Sequence, residues 1–148
     1  MPERFSVAHR TFRTMPKTIL IADDDPTIIK LLQVNLEMEG YDVVCAYDGQ
    51  DAVEKAQEQP PDLVLLDIMM PRMDGWAARE ALAAIPRLQD TPVIFLSARA
   101  QQADLRRGYE AGVAEYVTKP FDPTELLDII GRVLDGNYER PPLGGGRL

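Results

Sequence analysis

Five short apolar runs, separated by longer stretches with helical spacing, constrain the fold of this 148-residue chain more than any other feature. Four of the five runs are rich in valine, isoleucine or leucine, and they do not alternate apolar with polar residues. Strands that are covered on both faces, as in a parallel sheet, have this composition. The predicted strands are Thr18–Ala22, Tyr41–Ala46, Leu63–Asp67, Pro92–Leu96 and Ala114–Thr118.

The segments between the runs carry the start and stop signals of helices. We expect Asp25 to be the N-cap of the first helix, with Gly40 beyond its end, and Asp122 to open the fifth helix. The strict alternation of strands and helices predicts an α/β fold with right-handed crossovers and an open parallel sheet covered on both faces. The predicted helices are Pro26–Met38, Gln50–Glu58, Trp76–Ile85, Gln101–Ala111 and 122–136.

Composition excludes several classes of protein. A formal net charge of −8 argues against binding DNA or anionic lipid through a general positive field. A single cysteine, Cys45, excludes an internal disulfide framework and a cysteine-based zinc cluster. No apolar run approaches the roughly 18 residues that span a bilayer, and the first residues lack the apolar core of a secretory signal. We therefore expect a cytoplasmic protein that binds neither nucleic acid nor membrane.

The two ends of the chain lack a core pattern. We expect residues 1–15 to be a flexible extension, 16–136 to be the folded domain and 137–148 to be a flexible tail rich in proline and glycine. Met15 directly precedes the first strand, so either Met1 or Met15 can be the natural start.

Polar side chains follow four of the predicted strands. In an open parallel sheet, ligands bind beyond the carboxyl ends of the strands. Asp23 and Asp24 follow the first strand, Asp67 ends the third, Ser97 follows the fourth and Lys119 follows the fifth. Singly, each has an ordinary explanation as a helix cap, turn residue or surface charge. Together they favour a Mg²⁺ site, because carboxylates about 4 Å apart repel by roughly 4 kcal/mol and Mg²⁺ prefers oxygen ligands.

Four motifs in this order resemble those of one known family, the response-regulator receiver domains of two-component signalling. The resemblance extends from about Lys17 to Asp135. It implies a flavodoxin-like, doubly wound sheet with strand order 2-1-3-4-5. The motifs are Ile19–Asp25, Asp67–Gly75, Ser97–Arg99 and Lys119–Phe121.

The resemblance also implies a role for each residue at the strand ends. Asp67 is implied to be the phosphoacceptor, which takes a phosphoryl group from the phosphohistidine of a kinase. Asp23, Asp24, Asp67 and the backbone carbonyl of Met69 are implied to bind Mg²⁺. Lys119 is implied to contact the phosphoryl group, and the peptide bond that follows it resembles the cis bond of the family.

The same resemblance implies a conformational switch. Ser97 is the implied switch hydroxyl and Tyr116 the switch aromatic, whose movement would repack the surface of the fourth helix, fifth strand and fifth helix. The alternative is that Tyr116 is a static core residue. Met69 and Arg99 occupy the positions that flank the route of the hydrolytic water in the family. We expect them to slow the loss of the phosphoryl group from Asp67.

Three functions are compatible with these residues. The first is a phosphorylation-dependent switch that binds a downstream protein. The second is a phosphorelay intermediate that passes its phosphoryl group to a histidine phosphotransfer protein. The third, a constitutive scaffold, is disfavoured by the complete set of site residues. Because only 13 residues follow Asp135, we expect no DNA-binding output domain, and we expect no enzymatic activity beyond self-catalysed phosphoryl transfer.

Overall fold

The computed structural model describes residues 15–99 and 101–139. Of the extension expected at residues 1–15, residues 1–14 lie outside the described residues, and so do residues 140–148 of the expected tail.

A five-stranded parallel sheet forms the centre of the fold, with the strand order β2-β1-β3-β4-β5. The predicted class and the strand order implied by the resemblance are both confirmed. Each strand is within one residue of its predicted bounds. The strands are β1 (Thr18–Ala22), β2 (Asp42–Ala46), β3 (Leu63–Asp67), β4 (Val93–Ser97) and β5 (Glu115–Thr118).

Within residues 15–99 and 101–139, five helices alternate with the strands, as predicted. They are α1 (Pro26–Met38), α2 (Gly49–Glu58), α3 (Gly75–Ala83), α4 (Gln102–Glu110) and α5 (Pro123–Asp135). A short 3₁₀ turn at Pro86–Leu88 was not predicted. Helix α3 ends before the predicted Ile85, because Ile85 precedes a proline and adopts an extended backbone (φ −95°, ψ 114°).

Alternate residues of the central strands pack into two separate apolar layers. On one face, Leu20 and Leu66 lie in a cluster that also includes residues of α2, α3 and α4. On the other face, Ile21 and Leu65 pack with residues of α1 and α5. All five residues of β3 are buried, whereas the edge strand β2 is only partly buried. Coverage of both faces therefore explains why the strand sequences are almost continuously apolar.

Aspartate side chains cap four of the five helices, all but α4, at the carboxyl edge of the sheet. The carboxylate of Asp25 accepts a hydrogen bond from the backbone N–H of Thr27 at 2.9 Å, which confirms the predicted N-cap. Asp122 caps α5 in the same way, through Thr124. At the far end of α5, Gly136 adopts a left-handed backbone (φ 77°) that ends the helix.

The tail expected at residues 137–148 stays a prediction, but Tyr138, one of its described residues, contacts the folded domain. This side chain is partly buried and packs against the α1–α5 apolar layer. Its hydroxyl donates a hydrogen bond to the carboxylate of Glu115, which is fully buried at the start of β5. Tyr109 of α4 donates to the same carboxylate. Tyr138 thus supplies one of the hydrogen-bond donors that the buried carboxylate of Glu115 requires.

Candidate functional site

Three polar side chains are buried at the carboxyl edge of the sheet, where the sequence predicts a site. Asp23 is 0% exposed, Asp67 is 4% exposed and Ser97 is 0% exposed. Strands β1 and β3 are neighbours, so the residues at their ends lie side by side. Asp24 is next to them but exposed to solvent. The fold therefore brings all three predicted carboxylates to one place, with two of them buried.

The ammonium group of Lys119 lies close to the buried carboxylates of Asp23 and Asp67. Its Nζ lies 2.8 Å from Oδ2 of Asp23 and 3.6 Å from Oδ2 of Asp67. The backbone N–H of Lys119 donates to the carbonyl of Ser97 at 2.8 Å, which fixes the segment after β5 against the end of β4. The Lys119-Pro120 peptide bond is cis, as the resemblance implies. The ammonium group is thus held within reach of any group that is bound to Asp67.

The pKa values show how the charges at this edge influence one another. The pKa of Asp67 is raised from 3.8 to about 6, because the carboxyl is buried and the charge of Asp23 is close. Lys119 and the backbone N–H of Met69 oppose this rise. Burial lowers the pKa of Lys119, but the hydrogen bond to Asp23 and the carboxylate charges outweigh burial, so its pKa is raised. Asp67 is therefore mostly ionised at pH 7, while Lys119 stays protonated.

The carboxylates fit a divalent cation. One oxygen from each of Asp23, Asp24 and Asp67 lies within 4.8 Å of the others. Hard oxygen donors of this kind suit Mg²⁺, which binds one or two carboxylates and keeps several waters. The backbone of Met69 is beside the cluster, since its N–H donates to Oδ1 of Asp67 at 3.3 Å. The Met69 side chain is 57% exposed. The role of its carbonyl as a ligand stays a prediction.

Gly75, the first residue of α3, has a positioning role that sequence reasoning missed. A Cβ at this residue would lie 2.5 Å from the carbonyl oxygen of Asp67 and 2.6 Å from the Cα of Ile68. The backbone N–H of Gly75 donates to the carbonyl of Ile68 at 2.8 Å. A residue without a side chain therefore allows the start of α3 to pack directly on the acceptor segment. The Asp74-Gly75 pair after a loop was the available signal.

Ser97 and Tyr116 lie together beside this site. The Ser97 Oγ accepts a hydrogen bond from the backbone N–H of Arg99 at 3.1 Å. Tyr116 is fully buried, and its hydroxyl donates to the carbonyl of Arg99 at 2.8 Å. Burial raises the pKa of the Tyr116 hydroxyl. The guanidinium of Arg99 pairs with Asp104 at 3.2 Å, so its charge is directed toward α4.

Comparison with known proteins identifies the family. Residues 19–131 match the profile of the response regulator receiver domain. The chain belongs to the response regulator receiver domains. As a receiver domain it is a component of two-component signalling. Receiver domains bind Mg²⁺ through acidic residues, and this chain has a cluster of three aspartates at the strand ends.

Solved structures similar to this receiver domain share its fold along nearly their whole length. The chemotaxis response regulator CheY4 of Vibrio cholerae is 29% identical, with a TM-score of 0.76 over 80% of this chain and 99% of that chain. A response regulator from Chloroflexus aurantiacus is 31% identical, with a TM-score of 0.77 over 82% and 99%. A CheX–CheY–BeF₃–Mg²⁺ complex from Borrelia burgdorferi matches at 29% identity, with a TM-score of 0.74 over 80% and 90%.

No helix among the described residues of this receiver domain is long and apolar enough to cross a membrane.

Proposed function

We propose that this receiver domain is a phosphorylation switch in which Asp67 accepts a phosphoryl group from a histidine kinase, with Mg²⁺. The observation that most strongly supports this proposal is the position of Lys119 Nζ, which lies 3.6 Å from the Asp67 carboxylate and 2.8 Å from the Asp23 carboxylate. A buried carboxylate with a cation and further carboxylates around it has the parts that phosphoryl transfer requires, namely positioning and charge neutralisation.

The proposed step needs no general base, because Asp67 is mostly ionised above its pKa of about 6. A carboxylate oxygen of Asp67 attacks phosphorus as the phosphorus–nitrogen bond of the phosphohistidine breaks. The imidazole nitrogen keeps the electron pair of that bond and takes up a proton from water. Lys119 pairs with an oxygen of the transferred group. Bound Mg²⁺ supplies the remaining charge neutralisation. The product is an acyl phosphate on Asp67, so the domain modifies itself and is not an enzyme.

Ser97 and Tyr116 are the proposed transmitters of this change. The new oxygens on Asp67 accept a hydrogen bond from the Ser97 hydroxyl. Ser97 and Tyr116 are connected through the backbone of Arg99, to which both side chains are hydrogen-bonded. Because Tyr116 is buried in this structure, phosphorylation favours the buried position over an outward one rather than creating it. The expected consequence is a shift in the surface of α4, β5 and α5, which then binds a downstream protein.

The exposed face of α1 supports docking of a protein that carries the phosphohistidine. Leu31, Val34 and Met38 are 41%, 42% and 80% exposed, and their spacing places them on one side of the helix. Helix α1 begins two residues after Asp24, so Leu31 is the residue of this face nearest to the acceptor edge, and Met38 lies at the far end of the helix. A phosphorelay intermediate would use the same face. Rapid return of the phosphoryl group to a purified histidine phosphotransfer protein would favour the relay over the switch.

Acetyl phosphate tests the acceptor directly. Incubation with acetyl phosphate and Mg²⁺ is expected to add one acid-stable, base-labile phosphoryl group to the wild type and none to Asp67→Asn. Asp90→Asn, a substitution at an exposed aspartate outside the site, is the matched control and is expected to label like the wild type. Equal labelling of Asp67→Asn and wild type in mass spectra would contradict the proposal. We further expect a cytoplasmic location, where the ATP used by a histidine kinase is available.

A further inference from the structure

A groove of about 320 Å³ lies between α3 and α4, away from the acceptor site. This volume equals that of about ten water molecules, so the groove has room for a few side chains. None of its lining residues takes part in the proposed phosphoryl chemistry. The lining residues are Trp76, Arg79, Glu80, Ala83, Arg107 and Ala111.

Arg107 lies over an aromatic ring instead of beside a carboxylate. Its guanidinium carbon is 3.9 Å from the ring centroid of Trp76, and within residues 15–99 and 101–139 it forms no ion pair. Three other arginines pair with aspartates, namely Arg72 with Asp48, Arg99 with Asp104 and Arg132 with Asp128. The Arg107 charge is therefore available to a ligand, on a flat platform that the tryptophan supplies.

Arg79 has unused hydrogen-bond donors at the same groove. A guanidinium has five N–H donors, and one nitrogen of Arg79 donates to the carbonyl of Ala111 at 2.8 Å. Its Nε is buried and has no acceptor among the residues that the structure describes. A buried donor without a partner is unfavourable, and among the described residues no carboxylate pairs with the Arg79 guanidinium. Its remaining N–H donors can therefore form charge-assisted hydrogen bonds with a bound carboxylate.

We propose that the groove between α3 and α4 binds an acidic peptide segment of a partner protein. Carboxylates of the segment pair with Arg79 and Arg107, and an aliphatic side chain covers the exposed part of Trp76. Glu80, the acidic residue of the lining, limits the charge excess and disfavours long polyanions. The net charge of −8 also opposes a nucleic-acid backbone, so a short segment with few carboxylates fits better.

The fluorescence of Trp76, the single tryptophan of the chain, reports on this groove. The probe is a capped synthetic hexapeptide with two central leucines, one glutamate on each side of them and a serine at each end, titrated at low salt without Mg²⁺ or a phosphoryl donor. We expect a saturable change in emission, matched by calorimetric heat, that weakens as salt is added. Because no phosphorylation is involved, this result is independent of the function proposed for Asp67.

Two variants and two further ligands make the test specific. Arg107→Gln is expected to weaken peptide binding at least about fivefold in calorimetry, consistent with loss of a partly exposed ion pair. Arg106→Gln removes the same charge from an exposed neighbour outside the groove and is expected to bind like wild type. Equal weakening by both variants overturns the proposal. So does equal binding of a peptide with glutamines in place of glutamates, or binding of a single-stranded oligonucleotide in preference to the acidic peptide.

Discussion

Replacing Asp67 with asparagine is expected to stabilise the metal-free protein at neutral pH. The structure buries the Asp67 carboxylate beside Asp23, which raises its pKa from 3.8 to about 6. A carboxyl whose pKa is raised by folding binds its proton more tightly in the folded state. Ionisation therefore costs stability as pH rises from 3.8 to about 6, and the whole cost is present above that window.

The size of this effect follows from the two pKa values. The difference between 3.8 and about 6 corresponds to about 3 kcal/mol, because one pKa unit is about 1.4 kcal/mol. At pH 7.5, Asp67→Asn is thus expected to raise the free energy of unfolding by about 3 kcal/mol. At pH 4.5 the expected gain is only about 1 kcal/mol, since the folded wild type is already protonated there.

Urea unfolding in EDTA at the two pH values measures both gains. Asp90→Asn is the control and is expected to change stability by less than about 0.5 kcal/mol at either pH. Adding Mg²⁺ at pH 7.5 should stabilise the wild type more than Asp67→Asn. A gain that is absent at pH 7.5, or equal at both pH values, would refute the argument from burial and charge repulsion.

Three further predictions concern the metal, the C-terminal contact and the lifetime of the phosphoryl group. Asp24→Ala is expected to bind Mg²⁺ more weakly, and a thermal shift on adding Mg²⁺ as large as in wild type would count against the site. Tyr138→Ala is expected to lower the free energy of unfolding by about 1–3 kcal/mol, since buried Glu115 loses a hydrogen-bond donor. Tyr138→Phe removes only the hydroxyl and so isolates the hydrogen bond. Unchanged urea midpoints in both variants would contradict a stabilising role for Tyr138. Met69→Asn is expected to shorten the half-life of phosphorylated Asp67, because an amide can orient water and a thioether cannot; an unchanged decay rate of the label would show that Met69 has no such effect.

Local patterns in the sequence were sufficient to predict the helices and strands and the cluster of aspartates at the carboxyl edge of the sheet. Asp25 is followed by a proline and by apolar residues at helical spacing, and Asp67 ends a run of apolar residues. The positions of both aspartates in the fold could therefore be predicted from the sequence alone. The strand order came from the resemblance, because parallel pairing leaves no signal in any one strand. The contact of Tyr138 with Glu115 was missed for a related reason. The two residues are 23 positions apart, and Tyr138 stands in a segment whose glycines and prolines indicate a tail.

A row of aromatic rings connects the α3–α4 groove to the proposed switch, and no linear pattern reveals it. Trp76 packs edge-on against Phe95 with ring centroids 4.8 Å apart, and Phe95 packs edge-on against Tyr116 at 6.2 Å. Gly108 of α4 completes this packing, because a Cβ there would lie 2.9 Å from a ring carbon of Tyr116. A ligand that orders Trp76 and a phosphoryl group that orders Tyr116 therefore act on the same packed rings. When the ligand and the phosphoryl group favour the same arrangement of the rings, thermodynamic linkage requires that each of them strengthens the binding of the other.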